Sequence, residues 1–300
     1  MAEAAGNRLL FFFLAMKNIL VPTDFSPEAH YAYEVALQLA KHTQGTVTLL
    51  HVLEALGDGG GGFSTVGGPV GGRSINQTFP IRLIEATKSR MQALKEEAMQ
   101  RVPGVPVLDS IKIGTVGDSI LRGIQRHGTD IVVMGARRHG DMSHVFWSSN
   151  TERMIRLAPC PVLTVKHQHA QFEARTIVFP SDFSAEAARA LDGLRHVQAF
   201  FPNAELHLLH VGSGNEKEAA RLQQRMQDFA RQHQLNNCKT AEVGASSTSM
   251  GIEEYAQNVH ADLVVMPTHT HSLLGNLLHT SIAEAVATHA FPPVLTYHFQ

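Results

Sequence analysis

The chain has 300 residues and a mass of 32.8 kDa, which at about 150 residues per domain divides into two domains. Apolar residues make up 44% and charged ones 17%, enough for two cores, which excludes a disordered chain, a collagen-like repeat and a disulfide-stapled miniprotein. A formal charge of -2 argues against nucleic acid as a partner, and two cysteines are too few for a disulfide framework or a thiolate metal site.

Residues 1–16 precede the first element. Leu9 to Ala15 is an apolar run of seven, far short of the roughly 20 residues needed to span a bilayer. No small-x-small cleavage site follows it, so it reads as an extension, with Met16 an alternative start. The chain is expected to be cytoplasmic and to have no membrane partner. Lys17 to Pro22 is a β-rich run. Ser26 then supplies an N-cap and Pro27 the first helical position, with apolar residues recurring at Ala29, Ala32, Tyr33, Ala36, Leu37 and Ala40. Thr46 to Val52 is a second strand. Between Ala55 and Ser74 nine of twenty residues are glycine. Residues 57–72 are expected to form a mobile loop, because so little apolar area cannot fix the backbone. A helix follows over 81–100, a strand over 107–113 and a helix over 118–127. Asp130 to Met134 is almost wholly apolar, as parallel strands buried on both faces are. The pattern Ser149-Asn150-Thr151-Glu152 predicts a capping box and a helix start at Ser149. Pro161 to Lys166 closes the set.

The blocks then return. Val21-Pro22-Thr23-Asp24-Phe25-Ser26 recurs as Phe179-Pro180-Ser181-Asp182-Phe183-Ser184, and Leu49-Leu50-His51-Val52 as Leu208-Leu209-His210-Val211. Asp130 to Met134 recurs as Asp262 to Met266, and Cys160 to Val165 as Pro292 to Tyr297. Blocks repeated in one order make an internal duplication. The expected organisation is a first domain at 17–166, a linker at 167–174 and a second domain at 175–300. The second copy has strands near 176–180, 204–211, 238–243, 262–266 and 294–298, and a second capping box at Ser281-Ile282-Ala283-Glu284. Alternating strand and helix in each copy predicts an open parallel sheet with right-handed crossovers and helices on both faces.

In such sheets ligands bind beyond the carboxyl ends of the strands. In the first copy Asp24 follows strand one, Val52 ends strand two, and Met134, Gly135, Arg137 and Arg138 lead from strand four toward Ser148, Ser149, Asn150 and Thr151. A glycine lets backbone approach a phosphate, a helix start offers N–H donors, and two arginines neutralise a polyphosphate. The opposing reading is that Gly135 only makes a strand-to-helix turn and the arginines form a solvated rim. The residues by themselves leave these two even.

Val-Pro-Thr-Asp-Phe-Ser at 21–26, Leu-Leu-His-Val at 49–52, Asp-Ile-Val-Val-Met-Gly-Ala-Arg at 130–137 and Pro-Cys-Pro-Val-Leu at 159–163 resemble, in order and spacing, the universal stress protein (UspA) family. The chain after Met16 resembles the family's tandem two-domain members. The resemblance implies an α/β fold of two tandem Rossmann-like domains with open parallel sheets, of the adenine-nucleotide α-hydrolase-like type. It further implies pairing of the two domains through their last strands, a stress-response role, and room for a higher homo-oligomer. In one subset ATP is bound, marked by Gly, two residues, Gly, nine residues, then Gly-Ser or Gly-Thr. Here Gly135, Arg138 and Ser148-Ser149 stand at those places, so the first glycine and the serine match and the other two glycines do not. Carried across, Asp24 and Val52 face base and ribose, Met134 and Gly135 line the nucleotide, and Ser148 to Thr151 hold phosphate. Arg138 either covers the phosphates with its charge or fills the site. The second copy has Pro267, Thr270 and Thr280-Ser281. Proline lacks the N–H and glycine's positive φ, so the second pocket is not expected to persist.

The sequence reads as a stress-response protein whose first domain binds ATP or a related adenine nucleotide. The alternatives are a nucleotide-free pseudo-dimeric scaffold working through protein contacts, and slow ATP hydrolysis. No serine elbow, Walker lysine, His-Glu-x-x-His or paired-carboxylate pattern appears, so no catalytic residue is assigned. His269, His271 and His279 lie near one another in sequence, but loop proximity is not convergence, and no metal site is expected. Cys160 and Cys238 read as buried small hydrophobes.

Overall fold

The structure, a computed structural model, describes residues 16–54, 78–136, 145–184, 187–212, 216–269 and 277–299; the side chains of 78–80, 145–149, 216–219, 269 and 277–281 are outside that description. The expected mobile loop at 57–72, together with Arg137 and Arg138, lies outside the described residues.

The first half alternates as its apolar periodicity requires: β1 (Asn18–Pro22), α1 (Pro27–Thr43), β2 (Thr46–Leu53), α2 (Thr78–Arg101), β3 (Val107–Ile113), α3 (Val116–His127), β4 (Ile131–Gly135), α4 (Val145–Leu157) and β5 (Val162–Val165). The second half runs β6 (Thr176–Pro180), a 3-10 turn (Ala187–Ala190), α5 (Leu191–Phe200), β7 (Glu205–Gly212), α6 (Glu216–Gln232), β8 (Cys238–Gly244), α7 (Thr248–Asn258), β9 (Leu263–His269), α8 (Leu277–His289) and β10 (Val294–Phe299). Among these, no helix is long and apolar enough to cross a membrane.

The ten strands form one mixed sheet in the order β3-β2-β1-β4-β5-β10-β9-β6-β7-β8. Neighbours are parallel except β5 and β10, which run antiparallel with Val294 opposite Thr164, Leu295 opposite Leu163 and Thr296 opposite Val162. Instead of two open sheets, the expected strands therefore make one sheet that is continuous through the junction. Two buried hydroxyls are satisfied across it, Thr164 Oγ1 donating to Val294 O and Thr296 Oγ1 to Val162 O, each at 3.3 Å. Arg156 of α4 reaches Glu284 of α8 with Nη2 at 2.8 Å and Nε at 3.0 Å from Oε1. Alternation along the strands sends Ile19, Leu49, Val133 and Leu163 into one apolar cluster that continues through Phe179, Leu206 and Tyr297 of the second half. The opposite face holds a cluster in each half, and Ile155 of α4 belongs to the second half's.

The aspartate that opens each Asp-hydrophobic block has a structural task. Asp130 Oδ2 accepts from Lys17 N (2.9 Å) and Asn18 N (2.8 Å), and Asp262 Oδ2 accepts from Arg175 N and Thr176 N at 2.8 Å, pinning the starts of β1 and β6. Two helix starts differ from expectation. α4 begins at Val145 and α8 at Leu277, each four residues before the serine of its Ser-x-x-Glu pattern. That pattern also fits inside a helix, and neither glycine nor proline breaks 145–148 or 277–280, so each helix runs further back.

Candidate functional site

In the first half the order β3-β2-β1-β4-β5 changes direction between β1 and β4, and an open parallel sheet has its crevice beyond the carboxyl ends of such a pair. The turn after β1 is built from short-range hydrogen bonds. Phe25 N donates to Thr23 Oγ1 (3.0 Å), Ser26 N to Asp24 Oδ1 (2.9 Å), and Ala29 N to Ser26 Oγ (3.2 Å), the N-cap read from the sequence. These bonds hold Phe25 at φ 65°, a left-handed conformation that a bulky residue keeps only under constraint, at a cost of order 1–3 kcal/mol. Half-buried Asp24 is thereby fixed at the mouth of the crevice. The second half builds the same turn from Ser181, Asp182, Phe183 (φ 52°) and Ser184.

β2 adds His51 and Val52. His51 Nδ1 donates to Thr23 O (2.7 Å), its ring centroid lies 4.7 Å from that of Phe25, and Arg90 of α2 sets its guanidinium 5.1 Å over the Phe25 ring. Burial holds the His51 imidazole below its ordinary range, and the Arg90 charge acts the same way. The ring is uncharged near pH 7 and keeps Nε2 as an acceptor. Phe25, His51 and Arg90 were not singled out from the sequence. The first two sit inside repeated blocks, which is the signal that could have found them. Arg90 lies on a helix whose periodicity does not say which polar side chain reaches over a strand end.

Gly135 ends β4, and its role differs from the positive-φ phosphate turn expected of it. The positive-φ glycines among the described residues are Gly104, Gly114 and Gly128. A Cβ at position 135 would lie 2.5 Å from Glu28 C and 2.6 Å from Ala29 N. Glycine is therefore what lets the first turn of α1 seat on the end of β4, and the close backbone approach is to the protein itself. Met134 is fully buried in a cluster with Ile120 and Met154, so its side chain belongs to the core, while Val52 packs half-buried beside that cluster.

Because α4 begins at Val145, Ser148 stays in its first turn while Ser149, Asn150 and Thr151 lie inside the helix, where their N–H groups are not the free donors of a helix start. Thr151 is only 2% exposed, and its Oγ1 has no hydrogen-bond partner among the described residues. Its counterpart in the second half is Ala283, and that of half-buried Asn150 is Ile282.

The expected closure of the second crevice is not met. A cavity of about 270 Å³ lies beyond β6 and β9, its lining including Asp182, His210, Thr248, Met266, Pro267 and Ile282. The reason follows from Gly135. A side chain at that position cannot coexist with a helix turn seated as α1 is, and the second half carries Pro267 there. Its helix α5 begins only at Leu191, after the 3-10 turn, and Ala187 and Ala190 line the cavity across from Pro267. Where the first half has Arg90 over Phe25, the second packs Phe183 edge-on against Phe229 of α6 at 5.3 Å.

Elsewhere, His30, Glu34 and Glu97 could offer three ligand atoms within 4.8 Å of one another, the one such trio among the described residues. The Arg101 guanidinium already sits on both carboxylates, so this position is occupied by the protein's own cation.

A sequence profile of the universal stress protein family matches residues 16–69, 71–166 and 173–298. The chain belongs to the universal stress protein family. A universal stress protein of Methanocaldococcus jannaschii is 30% identical over 159 residues, 51% of this chain and 97% of that protein. The universal stress protein Slr1230 of Synechocystis is 25% identical over 308 residues, covering 94% of this chain and 100% of its own length. One relative thus corresponds to half of the chain and the other to all of it, as a tandem arrangement requires. The crystal structure of a universal stress protein from Archaeoglobus fulgidus superposes with a TM-score of 0.66 at 18% identity, covering 94% of this chain and 98% of that one, and shares its fold. Membership carries the family's general stress-response role.

Proposed function

We propose that the first half, residues 17–166, is the nucleotide-binding domain of this stress-response protein, and that it takes ATP or a related adenine nucleotide in the crevice beyond β1 and β4. The observation that carries the reading is the seat of α1 on Gly135, which joins the turn holding Asp24 to the end of β4, with Arg137 and Arg138 next in sequence. The Asp24 carboxylate accepts from donors on base or ribose. Val52 supplies apolar wall, and Met134 and Gly135 act through their main chain. Arg90, Arg137 and Arg138 bring permanent positive charge for phosphate oxygens. Ser148, in the first turn of α4, with Ser149, Asn150 and Thr151 behind it, completes the phosphate side. In this reading the residues bind and orient a nucleotide, and no catalytic role is assigned to any of them. Mass spectrometry of the supernatant from denatured protein, purified without added nucleotide, tests the reading. Adenine nucleotide near one per chain supports it. No nucleotide, together with no ATP binding at millimolar concentration, would give the function to the scaffold alternative.

A further inference from the structure

We propose that a cavity at the seam between the halves, distinct from either crevice, is a ligand site for a free α-amino acid with a large apolar side chain. It measures about 320 Å³, at the lower end of the range of about 300–1,000 Å³ usual for small-molecule sites. Both halves build it. Pro159, Cys160 and Pro161 lead into β5, and Leu295 and Tyr297 belong to β10. Arg189, Asp192 and His196 line it from the 3-10 turn and α5. Ala187 and Ala190 of the same segment line the cavity beyond β6 and β9 instead, so the two cavities lie on different faces of it.

The walls divide by chemistry. Pro159, Pro161 and Leu295 are apolar and suit a large aliphatic or aromatic side chain. Arg189 and Asp192 are exposed and stand three residues apart on consecutive helical turns, which makes them neighbours on one face. Asp192 Oδ1 accepts from Arg195 Nη1 (3.3 Å), leaving Oδ2 for an ammonium group. The Arg189 guanidinium suits a carboxylate, which it can hold with two parallel bonds. Opposite charges side by side, next to apolar walls, match an amino-acid zwitterion. The duplication adds an independent observation. At the corresponding place of the first half, Gln38 stands for His196 and Phe291 for Pro159. There the protein's own backbone fills the groove: Gln38 Nε2 donates to His169 O (3.1 Å), Gln38 Oε1 accepts from Phe172 N (2.6 Å), and the His167 ring stacks on Phe291 at 4.4 Å. The equivalent groove thus holds a polar amino-acid backbone with a ring against its wall, and a free amino acid brings the same two elements.

The test titrates the full chain by calorimetry with L-phenylalanine, with its amide and with its N-acetyl derivative, which lack the carboxylate and the ammonium in turn. L-Phenylalanine is expected to bind, and each derivative at least about tenfold more weakly. Arg189→Ala and Asp192→Ala, at exposed positions, are each expected to weaken L-phenylalanine at least about tenfold with an unchanged melting temperature. The thiols report where the ligand sits. Saturating L-phenylalanine should slow iodoacetamide alkylation of Cys160, which lines the cavity, and leave that of Cys238, which does not, unchanged. No binding of L-phenylalanine at millimolar concentration, derivatives that bind as tightly, binding indifferent to both variants, or Cys160 alkylated equally with and without ligand overturns the proposal. ATP binding by the first half is a separate titration, so the two readings fail independently.

Discussion

The two halves share strand order, the strained aspartate–phenylalanine turn and the aspartate that pins their first strands, yet they part where the first helix meets the fourth strand. In the first half Gly135 lets α1 start at Pro27 and press its backbone onto β4. In the second, Pro267 holds that place, the helix starts late at Leu191, and a cavity occupies the space between. The aromatic of the turn is covered differently: Arg90 lies over Phe25 in the first half, Phe229 packs on Phe183 in the second, and none of the described residues lining the second cavity is Lys or Arg. One fold therefore closes the first helix onto the fourth strand in one half and leaves a cavity lined by Asp182, His210 and Pro267 in the other, through substitutions that leave the sheet intact.

The contrast at positions 135 and 267 gives the largest expected effect. Gly135→Ala must push apart two backbones, and is expected to destabilise the protein by about 3 kcal/mol in urea unfolding. Pro267→Ala, facing open space, should change stability by less than about 1 kcal/mol. A harmless Gly135→Ala would remove the packing explanation.

The cysteines sharpen the comparison by reactivity. Burial pushes the Cys160 thiol up to about 12 and the Cys238 thiol up to about 11. The thiolate is the reacting form, so Cys238 should be alkylated faster than Cys160, and both rates should rise about tenfold per pH unit between pH 7 and 9. Peptide mass spectrometry after iodoacetamide treatment at pH 7, 8 and 9 reads both, and Cys160 reacting first would contradict the burial assigned to it.

A smaller effect lies at the late-starting helix. Tyr297 Oη donates to Ala190 O (2.5 Å) from a buried ring, and the corresponding position of the first half, Val165, makes no such bond. Tyr297→Phe is expected to cost about 1 kcal/mol. Amide exchange should quicken over 187–191 and stay unchanged in α1; equal change in both would show that the bond does not act locally.

What the sequence made legible was local or repeated. The Ser26 cap, the Pro27 start and the recurring blocks follow from neighbouring residues, and strands such as Ile131 to Gly135 declare themselves by unbroken apolar character. Pairing of β5 with β10 came through family resemblance, because four-residue β5 carries no partner information of its own. The starts of α4 and α8 were misplaced because Ser-x-x-Glu is equally at home inside a helix. The reason for Gly135 and the reach of Arg90 are contacts between distant parts of the chain, and no spacing rule encodes them. The same holds for the second cavity. Pro267 was read as the loss of a donor, while its larger consequence is steric.

ATP titration of four proteins by calorimetry tests the asymmetry of the two crevices most directly: wild type, Asp24→Ala, Asp182→Ala and the double variant, each first checked for an unchanged fold. Loss of one charge-assisted hydrogen bond is worth roughly 1.5–3 kcal/mol, so Asp24→Ala should weaken ATP about 10- to 150-fold. Asp182→Ala should leave ATP affinity within about twofold of wild type, and the double variant should match Asp24→Ala. Equal losses from Asp24→Ala and Asp182→Ala, or a wild-type chain that binds no ATP at millimolar concentration, would contradict the account.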